Sequence, residues 1–269
     1  MYKDLVISTM EEVLALASDQ PFDKRNGRYR GYYLYRGLPD ESFELKTSLQ
    51  RNCGNLSSEL ESKILANFSK YIAIEADGEY EIDTVWKRMI LGQHHGLPTR
   101  LLDWTHSPFI AMHFATDGDL RTLEKNNCVI WRIDIEELHS LLKEPFKTVM
   151  EKEGMTVFNV NMLNDAAKSI EEYDSITKGE SMVIMEPPSM DPRIVNQYAF
   201  FSVIPSAMTN IEDFLERYTE KTVRYKINKD LKWRIRDFLD EANISERIVY
   251  PGLDGICKWL SRHYFVKDS

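Results

Sequence analysis

Apolar residues follow different spacings in the two halves of the chain. Before about residue 126 they recur mainly at helical spacing, and after it they recur mainly in short segments bounded by turn residues. Neither an internal repeat nor a low-complexity linker separates the halves. This order predicts an α+β fold, in which helices cover a mixed or antiparallel sheet. We expect one domain over residues 1–269, with a core of about 28–265 and an N-terminal helical extension within 1–20.

Helices are predicted where a period near 3.6 coincides with capping residues. Ser58 with Glu61 has capping-box spacing, and Ser107 with Pro108 fits an N-cap followed by proline in the first turn. The helix after Ser107 presents a face of small residues, which favours close packing. The predicted helices cover 4–17, 58 to about 77, 83–93, 109–116, 135–142, 161–173, a capped helix from 210, 229–241 and 253–264.

Strands are predicted where apolar or aromatic residues cluster or alternate with polar ones over five to ten positions. The clearest pattern is Cys128–Ile135, and Tyr32–Gly37 is a short aromatic strand that ends at glycine. The predicted strands cover 32–37, 43–49, 128–135, 182–186, 195–204 and 223–227.

Composition narrows the function classes. The formal net charge of −9 gives no global positive field, which argues against a dedicated non-specific nucleic-acid binder but leaves room for a local basic cleft. The three cysteines lie far apart, so a disulfide framework or a cysteine zinc site is not expected. The N-terminus lacks a signal-peptide pattern, and no apolar run approaches the roughly 20 residues of a membrane span. We expect a cytoplasmic protein with no membrane partner.

The richest candidate site is the run Leu91–Thr105, which we interpret as an ordered turn because Gly96 and Pro98 interrupt regular structure. Adjacent side chains diverge, so His94 and His95 are not expected to face the same ligand. The spacing fits no standard zinc site, and we predict no metal. The spacing of Arg100 and Asp103 predicts an ion pair that fixes the turn. Trp104 is either a core residue or a stacking wall.

Two further segments carry candidate site residues. Arg36 ends the aromatic strand, and the glycine after it lets another group approach the backbone; guanidinium groups suit phosphate or carboxylate ligands. Arg193 and Gln197 precede the aromatic segment that contains Phe201. A surface ion pair for Arg36 and a solvent-facing edge position for Gln197 remain alternatives. Phosphate-loop, dinucleotide-fingerprint, hydrolase-elbow and zinc-helix motifs do not occur.

Together these segments resemble the FRG domain, a family named for its Phe/Tyr-Arg-Gly motif. The resemblance lies in Tyr35–Gly37, in His95–Thr105 with Ser107-Pro108 and Ala111–Ala115, in Arg193–Phe201, and in Tyr250–Gly255. FRG domains look like distant relatives of ADP-ribosyltransferases. The resemblance therefore implies an ADP-ribosyltransferase-like fold, in which a split mixed sheet holds NAD in a cleft.

The resemblance also implies roles for individual residues. Arg36 takes the place of the residue that grips the nicotinamide ribose or the phosphates, and His95 and Gln197 complete the expected catalytic set. The other residues expected to bind NAD are Tyr35, Gly37, Thr99, Arg100, Trp104, Ser107 and Phe201. Gln197 departs from the usual catalytic glutamate because an amide carries no charge. Either Gln197 only positions substrate, or Glu186 or Glu180 supplies the charge, or the chain is not a transferase.

The leading hypothesis is an NAD-dependent ADP-ribosyltransferase that acts as a bacterial toxin or anti-phage defence effector. Its acceptor would be a protein or a nucleic acid, and an antitoxin or other regulatory protein is a further candidate partner. One alternative is a non-catalytic module that binds a ligand or partner. A weaker alternative is an NAD-independent nucleic-acid enzyme with His94 or His95 as its general base.

Overall fold

The computed structural model describes residues 2–75, 82–189 and 191–267. Its strands are β1 (Lys3–Ile7), β2 (Phe22–Asp23), β3 (Arg28–Tyr29), β4 (Tyr33–Leu38), β5 (Leu101–Thr105), β6 (Cys128–Asp134), β7 (Val183–Met185), β8 (Ala199–Val203) and β9 (Val223–Ile227). Its α-helices are α1 (Met10–Ser18), α2 (Ser48–Cys53), α3 (Ser57–Glu75), α4 (Val85–His94), α5 (Pro108–Ala115), α6 (Ile135–Ser140), α7 (Phe146–Glu153), α8 (Val160–Ala166), α9 (Ile170–Thr177), α10 (Pro192–Asn196), α11 (Ile211–Tyr218), α12 (Lys232–Glu241), α13 (Glu246–Val249) and α14 (Leu253–His263).

A seven-stranded sheet organises the fold in the order β1-β9-β6-β4-β5-β8-β7. β1 runs parallel to β9, and the other neighbouring strands in this sheet are antiparallel. A separate two-stranded hairpin joins β2 to β3. The predicted mixed or antiparallel sheet with covering helices is therefore confirmed, and the sheet is mostly antiparallel.

Many predicted elements are confirmed within one or two residues, notably β4, β6, β9, α5 and α11. The helix predicted for 4–17 is wrong in its first half. Lys3–Ile7 forms an edge strand instead, and helix α1 begins only after Thr9, which makes a capping box with Glu12. The start of the chain thus belongs to the sheet rather than to a helical extension.

Three further predictions need correction. The run 91–105 is not one turn: its first residues end α4, and Leu101–Thr105 is a strand inside the sheet. Residues 43–47 form no regular element before α2 begins. The helix predicted for 161–173 is two helices, α8 and α9, separated by the extended residue Ala167. The predicted end of the 58–77 helix lies outside the described residues.

Three hydrophobic clusters cover the sheet. One lies on a single face of β4 to β8 and contains residues such as Leu34, Leu102 and Trp131. The opposite face, on which the paired residues Tyr35 and Thr105 lie, carries the other two clusters. One of these clusters packs β5, β8 and β7 against α4, α8 and α9. The other packs β1, β9, β6 and β4 against α1, α5 and α12.

The sheet is nearly divided between β4 and β5. β4 pairs with β6 along its whole length, and β5 pairs with β8 in the same way. Among the described residues, β4 and β5 pair with each other only at Tyr35 and Thr105. Side chains bridge the gap on both sides of that pair. Arg36 Nη1 donates to the Asp103 carbonyl at 2.6 Å, and His106 Nδ1 donates to the Tyr33 carbonyl at 3.1 Å.

Gly37 allows α5 to lie directly on β4. A Cβ at this position would stand 1.9 Å from the Ala111 carbonyl oxygen and 2.6 Å from the Ala115 amide nitrogen. Both are backbone atoms of α5, so no side-chain rotation can make room. The small-residue face predicted for α5 is thus the surface that packs against this glycine, and it fixes one side of the gap.

We predict that Gly37→Ala lowers the free energy of unfolding by at least about 3 kcal/mol, because the added methyl group displaces a helix backbone. Gly27→Ala is the matched control: its Cβ meets open space, and only its left-handed backbone opposes the change, by about 1 kcal/mol. Urea denaturation of both variants measures the difference. Equal losses in the two variants would contradict this packing.

His139 predicts a specific pH dependence of stability. The buried ring donates from Nδ1 to the Thr156 carbonyl at 2.9 Å, and Nε2 accepts from the Ile184 amide at 3.0 Å. Burial lowers the pKa of His139 to about 4. The folded pKa lies below the unfolded value of about 6.5. The stability that the neutral, hydrogen-bonded ring contributes to the fold is therefore fully present above pH 6.5 and is lost as the pH falls toward 4.

Between pH 7.5 and 5, the wild type should therefore lose about 2 kcal/mol more stability than His139→Gln. Chemical denaturation at the two pH values tests this. His263→Gln, at an exposed position, should follow the wild type. A parallel pH profile for His139→Gln and the wild type would show that the buried imidazole does not respond in this way.

Candidate functional site

A cleft of about 820 Å³ opens where β4 and β5 separate. Its walls come from these two strands, the loop between β4 and α2, the end of α4, the end of α5, α10 and β8. The lining residues are Tyr35, Arg36, Gly37, Leu38, Pro39, Ser42, Phe43, Glu44, Lys46, Arg51, Gln93, His94, Asp103, Trp104, Thr105, Phe114, Asp117, Gly118, Arg193, Ile194, Gln197, Ala199 and Phe201.

Arg36 lies at the gap itself. Its side chain is 17% exposed, with Nη1 bonded to the Asp103 carbonyl and 3.6 Å from the Asp103 carboxylate. The buried Nε has no hydrogen-bond partner in the described structure. Burial lowers the pKa of Arg36, and the nearby charge of Asp103 only partly offsets this effect. An anionic group in the cleft would stabilise this guanidinium further.

Asp103 is held by a chain of side chains that starts at the base of the cleft. Gln93 Nε2 donates to both Asp103 carboxylate oxygens, at 3.0 and 3.1 Å. The Thr99 hydroxyl donates to Gln93 Oε1 at 2.6 Å, which fixes the orientation of the amide. The backbone of Thr99 is in turn bonded to Ser48 at the start of α2. The carboxylate is thus oriented, although its side chain is 55% exposed.

The cleft is more cationic than the chain as a whole. Four basic and three acidic side chains line it, in a protein of net charge −9: Arg36, Lys46, Arg51 and Arg193 against Glu44, Asp103 and Asp117. Asp117 is neutralised from outside the lining by Lys258, at 2.9 Å. Among the described residues, neither Arg51 nor Arg193 forms an ion pair. The local excess of positive charge favours an anionic ligand.

Aromatic side chains add planar walls. Phe43 is 54% exposed on the loop before α2, and Phe114 faces the cleft from α5. Trp104 and Phe201 line the cleft but are almost entirely buried, and the Trp104 indole nitrogen donates to Ser202 Oγ at 2.9 Å. The sequence left Trp104 as either core or wall; the structure makes it mainly a core residue. Phe43 and Phe114 are the rings available to stack on a ligand.

The predicted ion pair between Arg100 and Asp103 is wrong. Arg100 binds Glu61 from α3 and Asp174 from α9, with its Nε 2.8 Å from Glu61 and its Nη1 2.7 Å from Asp174. Asp103 instead faces Arg36 and Gln93. Residues 100 and 103 lie on opposite faces of an extended segment, since successive strand side chains alternate. Arg100 is saturated by two carboxylates outside the cleft, so it has no donor directed at a ligand there.

The histidine that lines the cleft is His94 and not the predicted His95. α4 extends through His94, whose ring lies 3.4 Å from the Asp191 carboxylate, whereas His95 caps the helix and is exposed. Consecutive residues on a helix point about 100° apart, so His94 lines the cleft and His95 does not, although the two rings touch edge to face with centroids 5.1 Å apart. Burial lowers the pKa of His94, so its neutral form is favoured relative to an exposed histidine.

Gln197 reaches the cleft, but its side-chain nitrogen and its backbone carbonyl already have partners. It is not in a strand: it caps α10, its amide donates to the Val249 carbonyl at 3.0 Å, and its own carbonyl accepts from the Thr105 hydroxyl at 2.7 Å. Glu180 binds Lys143, and neither Glu180 nor Glu186 lines the cleft. Neither glutamate therefore supplies the negative charge of the catalytic carboxylate that the resemblance implies near Gln197.

The remaining predicted site residues divide into two groups. Tyr35 and Gly37 line the cleft with Arg36, Trp104 and Phe201. Thr99 and Ser107 do not line it: Thr99 is buried behind Gln93, and Ser107 caps α5 by accepting from the Ile110 amide at 3.4 Å. Both residues shape elements of the wall rather than its surface.

The sequence did not single out several residues that the fold places in the cleft. These are Phe43 and Arg51 near α2, and Gln93 at the end of α4. The available signal for Gln93 was a polar residue at the end of the predicted helix 83–93, and the signal for Phe43 was an aromatic residue among polar neighbours. The described residues contain no group of histidine, cysteine or acidic side chains able to hold a metal, and no helix among them is long and apolar enough to cross a bilayer.

Comparison with known families supports the resemblance that the Tyr-Arg-Gly and His-Gly-Leu-Pro-Thr-Arg motifs indicate. A family model described as the FRG domain matches residues 31–123. Residues 31–123 are an FRG domain. This stretch contains β4, α4, β5 and α5, and with them Arg36, Gln93 and Asp103. The segments around Arg193 and Tyr250 lie outside the match. No curated protein and no solved structure matches the chain.

We predict that Glu61→Gln lowers the free energy of unfolding by about 3 kcal/mol, because it leaves the buried Arg100 with one charged partner fewer. Glu59→Gln on the same helix is the control: Glu59 is exposed and pairs with Lys63, so its loss should cost less than about 1 kcal/mol. Thermal or urea denaturation measures both. Similar small losses would mean that the Arg100 cluster does not stabilise the FRG domain.

Proposed function

We propose that the cleft of this FRG domain binds NAD and that the protein transfers ADP-ribose from NAD to an acceptor. The observation that carries the proposal is the position of Arg36 at the gap between β4 and β5, where its side chain is only 17% exposed and its Nε has no hydrogen-bond partner in the described structure. The family resemblance supplies the reaction class, and the geometry supports an anionic ligand at that point. The split between the strands also fits the sheet that the resemblance implies.

The shape and lining of the cleft support a dinucleotide. Its volume lies within the range of about 300–1,000 Å³ typical of pockets for small ligands and cofactors. Arg36 would bind phosphate oxygens at the gap, with Arg51 and Arg193 as further cations toward the rim. The exposed Phe43 and the half-buried Phe114 line the cleft, where a nicotinamide or adenine ring can stack on them.

The biological setting follows from the family resemblance. We propose that the transferase acts as a toxin or anti-phage effector in the cytoplasm, with a protein or nucleic acid as acceptor and an antitoxin or other regulatory protein as a partner. The overall charge of −9 makes a protein acceptor the simpler choice, because a nucleic acid would be repelled outside the basic cleft. Expression in a bacterial host, with and without Arg36→Ala, tests toxicity directly.

A non-catalytic binding module remains a second candidate, favoured by one observation. The side-chain amide of Gln197 donates one hydrogen bond to the Val249 carbonyl and carries no charge, so it cannot take the part of a catalytic carboxylate. NAD binding without nicotinamide release in the presence of cell extract would support this candidate. Release of nicotinamide together with a modified acceptor would exclude it.

We predict that Arg36→Ala weakens NAD binding by about 10- to 100-fold, the effect expected from the loss of a charged hydrogen-bond donor. Arg36→Lys should recover part of the affinity, since lysine keeps the charge but loses the fork of donors. Isothermal titration calorimetry measures the affinities. Arg28→Ala, at an exposed position on β3 outside the cleft, should bind like the wild type.

The proposal fails if the wild type does not bind NAD, or if Arg36→Ala binds it with wild-type affinity while retaining a wild-type circular dichroism spectrum.

A further inference from the structure

We propose that Asp103 is the catalytic carboxylate of this FRG domain and that Gln93 is its positioning residue. The inference rests on the proposed function and assigns the charge that the sequence did not locate. It is carried by the geometry of three groups on three elements: Arg36 on β4, Asp103 on β5 and Gln93 at the end of α4.

Asp103 is both oriented and accessible. Gln93 bonds to each carboxylate oxygen, yet the side chain remains 55% exposed toward the cleft. An ionised carboxylate can accept about four hydrogen bonds, so capacity remains for a substrate hydroxyl or an acceptor proton. Its Oδ2 lies 3.6 Å from Arg36 Nη1, so a phosphate bound by Arg36 would be close to this carboxylate.

Gln93 is itself fixed. The Thr99 hydroxyl donates to Gln93 Oε1, which leaves the amide nitrogen directed at Asp103. Thr99 is buried, and its amide nitrogen donates to Ser48 Oγ at 3.0 Å. The orientation of Asp103 is therefore set by the fold before any ligand binds, which is the arrangement expected of a preorganised catalytic group.

The other candidate carboxylates are less suited. Glu44 lies on an exposed stretch of loop and pairs with Lys46. Asp117 pairs with Lys258 and accepts from the Gly118 amide at 3.0 Å. Glu180 and Glu186 do not line the cleft. Of the carboxylates that the described structure places in the cleft, Asp103 is the one held by a neutral donor beside Arg36.

In the proposed reaction, the Asp103 carboxylate accepts a proton and stabilises a developing positive charge. The bond between ribose C1 and the nicotinamide nitrogen breaks, and its electron pair leaves with nicotinamide. The acceptor's nucleophilic atom forms a new bond to the same carbon. The proton that the acceptor loses passes to the Asp103 carboxylate and from there to water. The negative charge of Asp103 also stabilises the positive charge that develops on the ribose during bond breaking.

We predict that Asp103→Asn reduces the rate of nicotinamide release by about 100-fold or more, while the affinity for NAD changes by less than about threefold. Single-turnover kinetics with labelled NAD and calorimetry separate the two quantities. Glu186→Gln serves as the control outside the cleft and should match the wild type in both.

Thr99 tests the positioning role of Gln93. Thr99→Val removes the hydroxyl that orients the amide and should lower kcat without a change in KM for NAD, whereas Thr99→Ser keeps the hydroxyl and should retain the rate. If Thr99→Val does not fold, Gln93→Leu at the partly exposed end of α4 provides the same test. Equal kcat values for Thr99→Val and Thr99→Ser, or for Gln93→Leu and wild type, would overturn the positioning role.

The outcomes separate this inference from the proposed function. Wild-type turnover that survives in Asp103→Asn would overturn the role of Asp103 alone. Loss of turnover in Glu186→Gln instead would assign the carboxylate elsewhere and also overturn it. A wild type that neither binds nor consumes NAD would overturn the proposed function together with the role of Asp103.

Discussion

The structure depends on one incomplete pairing in its sheet. β4 and β5 share a single residue pair, and beyond it the Asp103 carbonyl accepts a hydrogen bond from a side chain instead of from the backbone of β4. This carbonyl has no partner on the backbone of β4, so Arg36 completes the sheet at the point where the backbone ladder ends. The same guanidinium then faces the cleft. Under the proposed function, Arg36 therefore both completes the sheet and binds the ligand.

Each side of this gap is held rigid by its own contacts. On the β4 side, Gly37 lets the backbone of α5 pack directly on the strand. On the β5 side, Arg100 joins the strand to α3 and α9 through Glu61 and Asp174. The hydrophobic clusters behind these contacts are also separate on this face of the sheet. The gap is therefore a feature built into the packing, with walls that can position a ligand without first being ordered by it.

The sequence predicts the strands and helices whose limits are set by local patterns of apolar residues and capping residues. β6 alternates regularly, and Ser107 with Pro108 defines the start of α5, so both elements are confirmed. β5 is different, because Asp103 interrupts its apolar pattern and is tolerated in the sheet only where the gap exposes it. The partners of Arg100 lie 39 and 74 residues away in sequence, beyond the reach of any spacing argument. The motif residues around the cleft were recognisable, whereas their pairings depend on the tertiary fold.

We propose that the gap between β4 and β5 is the ligand site. A crystal structure of the protein soaked with NAD tests it most directly. We expect a phosphate group at hydrogen-bond distance, about 2.7–2.9 Å, from the guanidinium of Arg36, with a ribose beside Asp103 and the two strands still apart. NAD bound at another surface, or β4 and β5 joined by a continuous backbone ladder with Arg36 turned away from the cleft, would contradict it.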